Sequence, residues 1–255
     1  MSLPPTMCMP AGMQVKTSPL FLQVANPEGM AWVNTMLTQH HYLHQGVSPR
    51  SMPMAYLVLQ QWEKHMQPVG CLLFNHTQCS YVKQWFGTLQ HVRAGDAYLT
   101  QWELVNLARV WVSNEIQQPE SPYSVSNAAS RVISAALKEV VRDFLLIHPP
   151  VFFDEPWQLR ECLTYLHANL FKGTIYRASN FVFRRDNGKG LVTYSRPLRD
   201  LHAHEVDLVR EASRLHAKNR QRRASKRYLE EVSWSPLFRL YPVPQEGEWE
   251  NSRAA

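Results

Sequence analysis

Two periods run through the hydrophobic positions of this chain, and each predicts its own kind of element. Short apolar or alternating stretches predict strands at 18–25, 54–60, 68–74, within 98–112, at 150–155 and at 181–183 with a return at 191–194. The stretch 68–74 is apolar without alternation, which predicts burial on both faces, and 61–67 is short enough for a hairpin. Asn26 as cap and Pro27 at the first helical position start a helix through Met30, Val33, Met36 and Leu37, expected to run on through His40, His41, Tyr42, Leu43 and His44. Ser126 or Asn127 is a ready cap for a second helix through Val141. Residues 157–170 read as helix or loop. Gly173 suits a tight turn and Thr174 a cap for a short helical element carrying Tyr176 and Arg177, followed by a hairpin signal at Asp186-Asn187-Gly188-Lys189-Gly190. Leu201, Leu208, Ala212 and Leu215 are spaced for a last helix, with Leu208, Ala212 and Leu215 expected to hold it to the body.

This order of elements predicts an α/β (α+β) fold, a mixed central sheet flanked by helices with a basic C-terminal helix. The expected organisation is an arm at 1–19, a core domain at 20–200, a basic helical extension at 201–232 and a tail at 233–255. With 255 residues, 45% of them hydrophobic, the chain can bury one sizeable core. Its apolar runs fall short of the ~20 residues that span a bilayer, and its start lacks a charged segment followed by an apolar one, so no membrane association and a cytoplasmic location are expected. The four cysteines (Cys8, Cys71, Cys79 and Cys162) contain no C-x-x-C pair and read as reduced thiols.

Charge narrows the partner. The net charge of +6 favours an acidic one, and the density of cations at Arg214, Lys218, Arg220, Arg222, Arg223, Lys226 and Arg227 favours nucleic-acid phosphates, with Arg220, Arg222, Arg223 and Lys226 as the expected contacts. His40 and His44, four apart, would share a helical face, but no third metal ligand is near them. In the strand within 98–112, Glu103, Val105, Leu107 and Arg109 fall on one face by period two. Two opposite charges on a buried strand need a reason: either Arg109 meets a carboxylate, or both residues line a cleft. The helix opening at Ser126 offers backbone N–H groups and a positive dipole end, an anion-binding geometry; its small alanines serve close packing on the sheet equally well.

The element order resembles a GNAT-type acyltransferase fold, although the usual Gly-rich fingerprint is missing. More specifically, over roughly 38–195 the chain resembles the Mom family of phage DNA-modification proteins. The resemblance rests on His41-Tyr42, Pro68-Val69-Gly70, Glu103-Leu104 with Arg109, Asn127-Ala128-Ala129-Ser130-Arg131 and, above all, Gly173-Thr174-Ile175-Tyr176-Arg177-Ala178-Ser179-Asn180-Phe181. It implies a DNA-modifying enzyme of phage origin that uses acetyl-CoA to convert adenine to N6-carbamoylmethyladenine, shielding DNA from restriction in the host cytoplasm. The family's histidine, arginine, serine, acid and tyrosine would fall on His41, Arg109, Ser130, Asp154 and Tyr176. Ser126, Asn127 and Arg131 would hold the acetyl-CoA phosphates. An iron dependence travels with the family, and a homodimer is left open. The adenine amine is a poor nucleophile, so a base is wanted, with His41 or Asp154 as candidates; Tyr176 would protonate the departing thiolate. Tyr42, Trp85 and Phe86 are candidate stacking surfaces for a base. Two other readings remain: an ordinary N-acetyltransferase of the GNAT type, and a non-catalytic DNA-binding protein.

Overall fold

The computed structural model describes residues 19–48, 51–62, 64–76, 103–149, 158–221 and 239–245. Eight strands form one sheet in the order β6-β7-β5-β4-β3-β2-β1-β8. They are β1 (Leu20–Val24), β2 (Met54–Trp62), β3 (His65–His76), β4 (Leu104–Val112), β5 (Glu161–His167), β6 (Val182–Asp186), β7 (Leu191–Pro197) and β8 (Tyr241–Pro242). The sheet is mixed: β4 and β5 run parallel, and every other neighbouring pair is antiparallel. Helices flank it. Helix α1 (Pro27–His40) closes one apolar cluster with Val33 and Leu37 on Ala55, Cys71 and Leu73. On the larger cluster lies α3 (Ala128–Ile147), whose Val132, Ile133, Ala136 and Val140 meet Leu22, Tyr56, Leu72 and Val105. Between β4 and its parallel neighbour the described chain passes through the short α2 (Asn114–Gln117) and then α3, the long helix of the crossover that such a pair requires. Burial on both faces is what makes Gly70 to Phe74 apolar throughout, as expected.

The cap of α1 is as read from sequence: the Asn26 side chain accepts from Gly29 N at 2.7 Å, with Pro27 at the first position. The far end differs. The helix stops at His40 and does not continue to His44, because the chain folds back over the last turn. His44 Nδ1 meets Thr38 O at 3.0 Å, a carbonyl that a longer helix would have bonded, and Val47 N donates to Asn34 Oδ1 at 2.8 Å. His40 and His44 therefore share no helical face.

Strand β5 corrects a second expectation. Residues 161–167 belong to an inner strand, where helix or loop was read. Its burial pattern, buried at four consecutive positions from Glu161, hides a two-residue period because both faces are covered. A third correction concerns α5 (Ala203–Gln221). Leu208 and Leu215 are 42% and 41% exposed, while Glu205 and Val209, at 2% and 1%, face α3. Glu205 can be buried because Arg199 donates two bonds of 2.7 Å to it and His202 N a third of 2.9 Å. These partners hold its carboxyl down to about 2 against the opposing effect of burial.

The same charged seam runs under α3. Tyr56 donates to Asp143 Oδ2 at 2.7 Å, and Arg142 NH2 donates to Asp143 Oδ1 at 2.7 Å and to the Tyr241 hydroxyl at 2.7 Å. Residues 241–242, read as part of a wandering tail, are thus drawn in as the edge strand β8 on β1. The 150–155 strand, Asp154, Trp85, Phe86, Cys8, Cys79 and the cations Arg222, Arg223 and Lys226 lie outside the described residues. Arg220 lies in the last turn of α5.

Candidate active site

The site originates in an irregularity of β4. Leu73 pairs with Arg109 but Phe74 pairs with Leu107, so Ala108 is an extra residue and the alternation changes phase there. Val105 and Leu107 point into the α3 cluster before the bulge, and Val110 and Val112 after it. Arg109 is therefore released from the face it was expected to share with Glu103, which pairs instead with Arg160 at 2.8 Å. Beyond this point β4 leaves its parallel neighbour: the pairing with β5 is confined to 104–106 against 161–163. The two strands part, and between them opens a cavity of about 770 Å³.

His41, Arg109 and Tyr176 all line that cavity. His41 sits just past the end of α1, 8% exposed, its Nδ1 accepting from Leu43 N at 3.3 Å. Burial, reinforced by the Arg109 cation and by His44, lowers its pKa to about 4, so the ring is neutral at pH 7. Arg109 is half-buried and donates to Ala108 O at 2.8 Å; burial pulls its pKa down, while Tyr42 and Tyr176 push it up. No described carboxylate pairs with it, which leaves the cleft-lining reading of its charge.

Tyr176 comes in on α4 (Thr174–Ala178). Here Gly173, with φ of +69°, is the cap residue, and Thr174 is the first helical residue, where Thr174 was expected to cap. A Cβ on Gly173 would lie 2.8 Å from the Tyr194 hydroxyl, so glycine is needed both for conformation and for space. The Tyr176 ring packs at 6.2 Å on Tyr194 and 5.7 Å on Phe181. Burial raises its pKa, while the nearby Thr164 hydroxyl and the Arg109 cation work the other way. Thr164 donates its hydroxyl hydrogen to Leu107 O at 3.0 Å, on β4 just before the bulge. Arg177 is exposed and donates to Lys172 O at 3.2 Å.

The start of α3 differs in detail from expectation. Asn127 is left-handed, with φ of +55°, and caps nothing with its side chain. Ser130 Oγ donates back to Asn127 O at 3.0 Å; Ala129 lines the cavity, whereas Ser130 is not among its described lining residues. Arg131 donates to Ser126 O at 3.1 Å and to Pro244 O at 2.9 Å, while Ser126 and Asn127 are exposed. Two residues unassigned from sequence hold the constellation together. One is Thr164, hidden by the misread strand. The other is Ser179, fully buried, whose hydroxyl lies 3.1 Å from Ser130 O and 2.8 Å from Ile175 O, latching α4 to the first turn of α3. At the cavity mouth Tyr42 and Phe171, 36% and 41% exposed, meet edge to face at 4.8 Å. Glu115 and Lys172 also line the opening.

Among the described residues no group of three histidine, cysteine, aspartate or glutamate side chains is placed to hold a metal ion. His40 stacks on Trp111 at 5.2 Å, and Cys71 and Cys162 are buried free thiols, Cys71 pushed up to about 12 by burial. The iron expectation therefore finds no ligand set among these residues. No described helix is long and apolar enough to cross a membrane.

No family model matches the chain. No curated protein matches its sequence. Among solved structures, it is similar to a GNAT-family acetyltransferase from Listeria monocytogenes 4b F2365, with 12% identity and a TM-score of 0.42 over 70% of this chain and 95% of that one. It is also similar to a domain from Methanocaldococcus jannaschii DSM 2661, with 8% identity and a TM-score of 0.39 over 71% of this chain and 99% of that one.

Proposed function

We propose that the chain is an acyl-group transferase that takes acetyl-CoA as its donor and the exocyclic amine of adenine in DNA as its acceptor, the acetyl group passing to N6 and CoA leaving as its thiol; the N6-carbamoylmethyladenine that the Mom resemblance implies carries a further nitrogen, which acyl transfer alone does not supply. The observation that supports this most is the parting of parallel strands β4 and β5 at the Ala108 bulge, beside which His41, Arg109 and Tyr176 line one cavity. In this reading the first turn of α3, which reaches the cavity through Ala129, offers its amides at Ala129 and Ser130 to the pyrophosphate. Ser126 and Asn127 precede that turn, and Arg131 braces it.

In this reading the residues divide the work. Tyr176, kept un-ionised by burial, is the proton donor for the departing thiolate. Arg109 offsets negative charge that builds up on the acyl group. An adenine inside a duplex must leave the stack, at a cost of a few kcal/mol. Tyr42 and Phe171 at the mouth offer it exposed ring surface. Arg220, Arg222, Arg223 and Lys226 serve as phosphate contacts that position the DNA.

Mass spectrometry of nucleosides from the DNA of a host expressing the protein tests the reading. Modified adenine is expected with the natural chain. With Tyr176→Phe it should fall by roughly 10²–10⁴-fold, the usual worth of a positioned proton donor. Unmodified adenine together with calorimetric binding of acetyl-CoA would move the acceptor to a small molecule or protein amine. No binding of acetyl-CoA would overturn acyl transfer altogether.

A further inference from the structure

We infer that His41 acts in this cavity as a hydrogen-bond donor through Nε2–H, gripping one oxygen of the acyl group together with the Arg109 guanidinium, and that it is not the proton acceptor of the reaction. The inference rests on the acyl-transfer reading of the cavity and assigns a role within it.

The argument starts from the two nitrogens of a neutral imidazole, one carrying a hydrogen and the other a lone pair. Leu43 N–H lies 3.3 Å from Nδ1 and has only a proton to offer. Nδ1 must therefore present its lone pair, and the ring's single hydrogen sits on Nε2. The backbone itself enforces this choice. His41 N donates to Leu37 O at 3.2 Å and His44 N to His41 O at 2.8 Å, so the turn that carries Leu43 N past the ring is pinned on both sides. Accepting a proton at Nε2 would require the opposite tautomer, or an imidazolium whose Nδ1–H pointed at Leu43 N–H. Either would break the bond to Leu43.

Charge points the same way. The groups that face His41 are Arg109 from β4 and, from its own turn, Tyr42, whose ring lies 4.5 Å away, and His44. None of these is an anion at neutral pH, and a protonated His41 would add a second cation beside Arg109. The ring is nearly buried and lines the cavity, and no described residue bonds its Nε2. A neutral donor beside a cation is suited to an oxygen that gains negative charge as an acyl carbon is attacked. It also leaves removal of the amine proton to another group.

Two measurements test this, one of them independent of turnover. Nitrogen-15 imidazole spectra of the natural protein should show His41 as the neutral Nε2–H tautomer at every pH from about 8 down to about 5. A Nδ1–H tautomer, or a His41 resonance titrating near its ordinary value of 6.5, would overturn the inference. In acetyl-CoA turnover, His41→Gln, which keeps an amide donor but has no basic lone pair, should stay within about tenfold of the natural chain, whereas His41→Leu should lose on the order of 10²–10³-fold. Equal loss in both variants would make His41 a base. If the natural chain turns over nothing, the acyl-transfer reading fails while the spectra still decide the tautomer.

Discussion

At the scale of single residues, the site is made by positions whose neighbours leave no alternative. Gly173 is the sharpest case. Its φ of +69° and the 2.8 Å approach of the Tyr194 hydroxyl to a would-be Cβ act together, so Gly173→Ala carries both conformational strain and a clash. The loss expected is about 1–3 kcal/mol, read as a lowered midpoint in urea, and Tyr194→Phe in the same background should return part of it. A variant as stable as the natural chain would show that α4 can shift without cost. This glycine was legible in the sequence, because a glycine before a short polar helix has few other uses. Thr164 was not: its value lies in donating to Leu107 O on a strand 57 positions away while its oxygen faces Tyr176, and nothing local signals that. Arg109 was half-legible. Period two singled out its charge, but the bulge that turns it into the cavity depends on the partner strand, so its supposed company with Glu103 was wrong.

At the scale of elements, what decides is which groups are buried on a helix that touches neighbours on both sides. The seam along α3 joins Asp143 to Tyr56 on β2, Arg142 to Tyr241 on β8, and Arg142 at 3.5 Å to Glu205 on α5. Removing one partner of a buried pair leaves the other uncompensated, so Asp143→Ala should cost about 3–5 kcal/mol in chemical denaturation. Because Arg142 keeps Glu139 at 3.0 Å and Glu205, a loss near the lower figure is expected. A loss below about 1 kcal/mol would mean that the seam orders the elements without stabilising them. The sequence showed the apolar stripe of α3 but not this seam, since its partners come from three other elements. The same limit explains α5, where Leu208 and Leu215 form an apolar stripe that faces outward while a carboxylate takes the inner position.

For the molecule as a whole, one buried and one half-buried histidine set a pH response. His41 and His148 are both held to about 4, against 6.5 for the free side chain, chiefly by burial. Between those values the unfolded chain binds protons that the folded chain refuses, so stability is full above about 6.5 and declines as pH falls to about 4. Glu205, held to about 2, extends the decline below its ordinary 4.5, because its partners stabilise only the ionised form. Calorimetric melting temperatures should thus fall from pH 6.5 to 4, and His148→Leu should flatten that slope; a flat natural profile would contradict the burial of both rings. One further consequence follows from where α3 finds its last partners. Its first turn is braced by Pro244 O through Arg131, 113 positions away, and its C-terminal half by Tyr241 through Arg142, 99 positions away. Such distant contacts are closed late and slowly. While the chain is still being synthesised, β1 has an open edge and Arg142 waits for its phenol until residues 241–244 have left the ribosome. Until those residues are free to pair, that edge stays open to wrong partners.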